Sequence, residues 1–405
     1  MPATAALPET GVKAGLGLRL DRHELAGGLG DIGLLLPISI ALITVNGLSA
    51  TAVFGIAGLA YIGTALYFRL PFPVQPLKAF AAIAIATKVS SETIAAGTLL
   101  MAASMGLLAI SGLASWLTER MPLVLIRGIQ ASIALLLTKA AFVLADKGNW
   151  KGLPAIDPTV SIGIALAVCA LLLLLRGRSL PGTLIVIAGG ATIGFLVDGG
   201  LPDLTLGPAP VYLSIPGGHA FVVALTTLVI AQIPLTFGNS IAATDNVMRE
   251  YFGDRAERVR PRAIATSIAL WNTISGLIAG LPICHGAGGA TAHYKLGARN
   301  AAATITTGAI LLVLALAFGS SLPALLHLLI PGALAGMLLY VAVQHAGLAL
   351  KNDHFGDTAI AVMMGVVTMW SANLAIGFGF GIAALLVRAG WRRAFSRSAV
   401  ATHSG

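Results

Sequence analysis

The chain has 405 residues, of which 57% are hydrophobic and only 10% charged, with a net charge of +9. Soluble domains carry about 25% charged residues, so this chain has too little polar surface to cover a water-soluble fold of its size, and a mean hydropathy of +0.90 assigns it to the bilayer. The excess positive charge then reads as an orientation signal along the chain and not as a nucleic-acid footprint.

In chain order, residues 1–25 read as a cytosolic tail carrying Lys13, Arg19, Arg22 and His23, without the apolar core of a signal peptide. Apolar stretches long enough to cross a bilayer are predicted at 28–48, 51–68, 93–113, 122–145, 159–176, 181–197, 217–243, 262–280, 301–319, 323–348, 357–370 and 372–388. Two further stretches, 74–88 and 284–298, are too polar or too short for ordinary spans and are predicted to be broken or half helices. The expected fold is thus an all-α integral membrane protein of about 14 transmembrane elements: a first repeat over 26–197, an extracellular loop over 198–216, a second repeat over 217–390 and a cytosolic tail over 391–405.

Alternating sides from a cytosolic N-terminus places Lys13, Arg19, Arg22, Arg69, Arg120, Arg176, Arg178, the charged loop 249–262, Lys295, Arg299, Lys351 and Arg388 onward inside. Only Lys88, Lys147 and Lys151 fall outside. This asymmetry puts both termini in the cytosol, in a bacterial-type inner (plasma) membrane. Cys169 and Cys284 lie in apolar or glycine-rich surroundings without zinc spacing, which argues against a disulfide framework, a structural metal or a cofactor.

The halves share an order of features. Each opens with an interrupted polar span: Gly30-Asp31-Ile32-Gly33 through Pro37 to Asn46 in the first, and Gln232-Ile233-Pro234 through Asn239-Ser240 to Asp245 in the second. Each continues with an ordinary span and then a broken element, Pro71 to Lys78 and Pro282 to Gly289. Seven elements per half make the second half start on the opposite side of the membrane, an inverted repeat, and paired interrupted segments are the sequence pointer to a transporter binding site. A half helix that begins at mid-membrane exposes unpaired N–H groups and the positive end of its dipole, so two such ends facing each other suit an anion. Pro76 fits a first helical turn, and Gly286, Ala287, Gly288 and Gly289 let backbone approach a ligand. Against this stands the reading that these Gly and Pro residues only kink or pack helices.

Ionisable groups at depth are functional candidates by default. Lys78 supplies either a fixed positive charge near an anion or the partner of an acid, and Arg127 offers a guanidinium fork for an oxyanion or for Asp31 or Asp245. Asp31, Asp245 and His285 are the candidates for proton coupling, and His285 is also a candidate donor to the anion. Gln75, Asn46, Gln232 and Asn239 are uncharged donors that contact substrate or hold helices together. His293 lies two turns beyond His285 and is placed off the site.

These motifs resemble the molybdate transporter family, a branch related to sulfate permeases. The matching pieces are Gly30-Asp31-Ile32-Gly33 with Pro37 and Val45-Asn46-Gly47-Leu48; Pro73-Val74-Gln75-Pro76-Leu77-Lys78-Ala79; Arg127-Gly128-Ile129-Gln130; Gln232-Ile233-Pro234-Leu235-Thr236 with Asn239-Ser240; and Pro282 to Gly289, followed by His293-Tyr294 and Gly297-Ala298-Arg299. The resemblance implies a seven-plus-seven inverted repeat with a substrate-holding core domain, a gate domain, elevator-like movement between them, and molybdate as substrate. Alternatives are sulfate or tungstate on the same fold, or a nucleobase permease, although the span beginning near 217 offers Gln232 and Asn239 where those permeases carry a carboxylate. No HExxH or GxSxG signature supports an enzyme. The partners expected are the oxyanion, the lipid bilayer, a proton co-substrate and a second copy in a homodimer.

Overall fold

The computed structural model describes residues 18–113, 120, 122–146, 157–175, 182–198, 200, 203–351, 354–371 and 373–401. Lys13, Lys147, Lys151, Arg176 and Arg178, used in the charge asymmetry, lie outside them. Helices α1 (Arg22–Gly28) and α2 (Ile32–Asn46) are joined by a 3-10 turn, Leu29–Asp31. They are followed by α3 (Ala50–Phe68), the short strand β1 (Gln75–Pro76), α4 (Lys78–Thr87), α5 (Ser91–Ser111), α6 (Leu123–Ala145), α7 (Pro158–Leu174) and α8 (Gly182–Asp198). The second half opens with one helical run, α9 (Gly218–Ala256), and continues with α10 (Pro261–Leu277), β2 (Ile283–Cys284), α11 (Ala287–Lys295), α12 (Ala302–Phe318), α13 (Leu322–His327), α14 (Pro331–Ala349), α15 (Phe355–Ser371) and α16 (Leu374–Ala401).

Local chemistry sets these boundaries. Ser49 and Ser90 accept the N–H groups of Ala52 and Thr93 as N-caps. Pro158, Pro261 and Pro331 occupy first helical turns, where the missing N–H costs nothing. Gly47 and Gly112 end their helices in the left-handed conformation. Among the described residues, six helices are long and apolar enough to cross a membrane, and shorter apolar helices accompany them. Leu107, Ile110, Leu174, Leu196, Val222 and Leu386 point outward, as expected where the solvent is lipid.

The helices sort into two packed groups. In the first, α5 lies along α10, α3 along α12, and α9 against α5 and α11. In the second, α14 packs on α6 and α7, while α15 packs on α6 and α16. The groups meet chiefly where α4 touches α6, α2 touches α14 and α9 touches α16. The first group is termed the core unit and the second the gate unit.

Two expectations are corrected. The span predicted at 323–348 is two helices, because Pro331 cannot donate to the preceding turn and starts a helix of its own. The loop predicted at 249–262 is helical to Ala256, passing from α to 3-10 at Gly253, whose φ of +53° favours glycine. The expected helical membrane fold is found, and inside it β1 and β2 form a two-residue antiparallel ladder, with Gln75 opposite Cys284 and Pro76 opposite Ile283. Within α9, Pro234 sits between π-helical segments Leu225–Val229 and Thr236–Ala242, where widened turns accommodate its missing N–H.

Candidate functional site

The ladder fixes where the two half helices begin. Leu77 N–H donates to the Pro282 carbonyl at 2.9 Å, and the Cys284 thiol donates to the Pro76 carbonyl at 3.3 Å. Asn272 from α10 extends the ladder sideways, accepting Ile283 N–H at 2.9 Å and donating to Ile283 O at 2.7 Å. With the strands paired, α4 starts two residues and α11 three residues beyond the same short ladder. Neither helix has a side-chain N-cap: the cap residues are Leu77 and Gly286, so the first-turn N–H groups of Lys78, Ala79, Ala287 and Gly288 have no intrahelical acceptor. Gln232 takes the next amide of α4, accepting Phe80 N–H at 3.0 Å. The mouth is open on one side: Gly288 is exposed and Ala287 half-buried, while their neighbours on both sides are buried.

Gln75 joins the two broken segments. It is 2% exposed, and its Nε2 donates to Asp31 Oδ1. Its other side lies against α11, where a Cβ on Gly286 would come within 2.0 Å of Gln75 Oε1 and 3.1 Å of Lys78 Nζ. A Cβ on Gly289 would come within 2.4 Å of Asp31 Oδ2 and 2.5 Å of Gln75 Nε2. Glycine at both positions is therefore a packing requirement. The Lys78 ammonium, on a side chain 5% exposed, stands beside Gly286, so a fixed cation joins the two dipole ends. Among the described residues no carboxylate lies within salt-bridge distance of Lys78. Asp31 from the core side and His345 from α14 act on it from farther away. His345 Nδ1 in turn faces Gln130 Oε1 of α6.

The structure therefore brings Gln75, Pro76, Lys78, Asp31, Gly286, Ala287, Gly288 and Gly289 to one place, with Gln232 holding one edge. The remaining candidates are placed differently. His285 is fully buried, and both ring nitrogens have protein partners: Nδ1 donates to Pro73 O at 2.8 Å, leaving Nε2 to accept from the Ser267 hydroxyl at 2.9 Å. It stacks edge-on against Phe72, so it pins the chain around the ladder and has no ring N–H left for an anion. Asp245 accepts from Arg249 at 2.8 Å, one turn along α9, in a partly exposed pair. Arg127 lies near the start of α6, next to Ile126, whose side chain packs against Gly238 and so sets this stretch beside the Asn239 segment of α9.

Asn46 sits at the far end of α4. Its amide donates to Ala84 O at 2.9 Å and Val89 O at 2.8 Å, satisfying carbonyls at the half helix's C-terminus. Asn46→Ala should therefore lower the melting temperature, reflecting about 2 kcal/mol for the unsatisfied carbonyls, while leaving oxyanion affinity unchanged by calorimetry.

Sequence reasoning missed His293, Tyr61, Asn272 and His345. The sequence reading places His293 off the site and does not single out the others, because nothing local sets them apart from polar neighbours such as Thr273, Tyr294 and Gln344; only tertiary contact gives each its partner.

A family model described as "Molybdate transporter of MFS superfamily" matches residues 23–137 and 224–344. Molybdate transporter 2 of Arabidopsis thaliana is 28% identical over 404 residues, covering 90% of this chain and 86% of that protein. Molybdate transporter 1 of Chlamydomonas reinhardtii is 26% identical, covering 94% of each. Among solved structures, the transmembrane domain of the cyanobacterial bicarbonate transporter BicA superposes with a TM-score of 0.65 at 16% identity, covering 88% of this chain and 97% of that domain. Murine Solute Carrier 26 family member A9, an anion transporter, also gives 0.65, at 14% identity, covering 92% of this chain and 69% of that one. The family description names the MFS superfamily, whereas these two structures place the architecture with the bicarbonate and Solute Carrier 26 transporters.

Proposed function

The chain belongs to the molybdate transporter family, and on that premise we propose that it is a secondary active transporter that imports molybdate, held between the N-termini of α4 and α11. It is an integral membrane protein and a transporter of an anion, not an enzyme. The observation that carries the site is the pair of uncapped half-helix N-termini joined by one ladder, with Lys78 and Gln75 buried between them. A tetrahedral dianion there accepts from backbone N–H groups of both half helices and from Lys78, and Gln75 orients it. Arg127, on the gate side, adds to the field. Asn239 and Gln232 line the α9 edge.

The core unit carrying the site then moves against the gate, exposing the anion to the other face in an elevator-type cycle. The small contact between α4 and α6, compared with the packing inside each unit, supports a sliding surface there. Two negative charges entering against about 100 mV, inside negative, cost about 4.6 kcal/mol, so uptake needs a coupled ion, and protons fit the acid beside the site. The chain acts in an inner (plasma) membrane with both termini cytosolic, as a monomer or homodimer.

Thermal unfolding of the detergent-purified protein with molybdate, tungstate, sulfate, phosphate or uracil tests this. A ligand at about 100 times its Kd stabilises by about 2.7 kcal/mol. Molybdate and tungstate should raise the melting temperature at micromolar levels. A shift with sulfate alone moves the substrate within the same site. A shift with uracil alone overturns the anion reading.

A further inference from the structure

Deep in the core unit, beside the oxyanion site, four buried polar atoms lack a hydrogen bond of ordinary geometry among the described residues: Asp31 Oδ2, Gln75 Oε1, His293 Nε2 and the Tyr61 hydroxyl. They belong to one neighbourhood. Asp31 is linked to Gln75 by the bond to its Oδ1, and its Oδ2 lies against Gly289. His293 follows one turn later on α11 and acts directly on the Asp31 charge. Tyr61 sets its ring edge-on to His293 at 6.3 Å between centroids, and its hydroxyl lies beside Asp31 and the Val74 backbone.

The protonation pattern of this cluster is constrained. His293 Nδ1 faces the Gly27 carbonyl at 2.7 Å, and a carbonyl only accepts, so the imidazole proton is on Nδ1 and Nε2 presents a lone pair. The carboxylate oxygen of Asp31 and the amide oxygen of Gln75 are also acceptors. Gln75 Oε1 lies toward Lys78 Nζ across Gly286, whereas Asp31 Oδ2 and His293 Nε2, two buried acceptors, share the Tyr61 hydroxyl, and buried acceptors ordinarily have a donor. One added proton, on Asp31 Oδ2 or His293 Nε2, turns an acceptor into the missing donor.

The other charged and titratable groups around Asp31 are accounted for. From α4, Lys78 faces it, and from β2 Cys284 does. From α1, Glu24 is turned away, its carboxylate accepting from Arg299 and Asn300. The α12 segment packed on this turn carries no ionisable residue.

We propose that Asp31 and His293, framed by Tyr61 and Gln75, form a proton site coupled to the oxyanion site. This rests on the transport reading given above. An ionised Asp31 holds the Gln75 amide on its Oδ1 and offsets Lys78. A proton taken from the aqueous phase onto Asp31 Oδ2 removes that negative charge and frees Lys78 for the dianion. Release on the opposite face returns the proton to water and restores the Asp31 charge, which repels the anion. Because the coupling is reciprocal, anion binding draws in a proton as strongly as the proton favours the anion.

The test is calorimetric titration of the full chain in detergent with molybdate or tungstate, in two buffers of different ionisation enthalpy, between about pH 5.5 and 8. The wild type should take up close to one proton per anion, and affinity should fall by up to about tenfold per pH unit across part of that range. Asp31→Asn keeps the acceptor for Gln75 and should bind with an affinity independent of pH and no proton uptake. His293→Gln should shift the pH range over which affinity changes, a second readout should Asp31→Asn fail to fold. Wild-type binding without proton uptake, uptake unchanged in Asp31→Asn, or binding that requires sodium and ignores pH would each overturn the proposal and leave the transport reading intact. Absence of oxyanion binding at every pH would instead remove the transport reading itself.

Discussion

Lys78→Met should weaken oxyanion binding by roughly 10- to 150-fold, the equivalent of losing one charge-assisted hydrogen bond worth about 1.5–3 kcal/mol. The size follows from position. Lys78 is buried at the first turn of α4, its ammonium reaches the N-terminus of α11 beside Gly286, and among the described residues no carboxylate stands within salt-bridge distance of it. A buried ammonium without a close acid is costly to the empty protein and favourable only when an anion arrives. The unliganded Lys78→Met protein should therefore melt at or above the wild-type temperature while binding poorly. Lys78→Arg should also bind poorly, because the larger guanidinium fork has to fit against Gly286 and Gln75. A close ion pair with Asp31, in place of this longer-range offset, would give the opposite pattern: Lys78→Met would melt lower, and Asp31→Asn added to it would restore stability. A double-mutant cycle on melting temperature, run beside calorimetric titration with molybdate, separates the two roles. Unchanged affinity in Lys78→Met would remove Lys78 from the site.

What the sequence made legible was whatever is local and chemically unusual. Pro73-Val74-Gln75-Pro76 and Pro282 to Gly286 interrupt any membrane helix, so two broken segments were readable, and both lead into short helices. Their partnership was less visible. A ladder of two residues per strand has no period to detect, and Asn272, which completes its hydrogen bonding, is one polar residue on an otherwise ordinary helix. His285 was singled out for its place at the start of the half helix, yet its ring is turned back onto Pro73 and Ser267. His293 seemed too far along the same helix, yet it faces Asp31, because the close approach of the Leu29–Asp31 turn to α11 brings the acid across. Asn46 carried the right donor chemistry but sits at the wrong end of α4. Residue type and depth were readable. Side-chain direction was set by tertiary packing, which no single-chain pattern encodes.

Gly289→Ala should abolish measurable oxyanion binding and lower the melting temperature, whereas Gly288→Ala, one residue away on the same helix turn, should leave the fold untouched. A Cβ at 289 would fall 2.4 Å from Asp31 Oδ2 and 2.5 Å from Gln75 Nε2, so the pair that braces the site has to separate or α11 has to shift. Overpacking of this kind costs about 1–3 kcal/mol, and here the displaced groups are buried and polar, so the loss extends to the alignment of Gln75 with the half-helix ends. A Cβ at 288 meets nothing within 4 Å and projects into the open side of the mouth. Any effect of Gly288→Ala should therefore be confined to anion affinity, which makes it a probe of the mouth without the confounding loss of stability. The two variants are compared by melting temperature without ligand and by calorimetric titration with molybdate. If Gly289→Ala binds like the wild type, the contact between Asp31, Gln75 and α11 does not organise the site. If Gly288→Ala instead melts lower, the opening at the start of α11 is closed in the protein and the anion has to reach the site by another route.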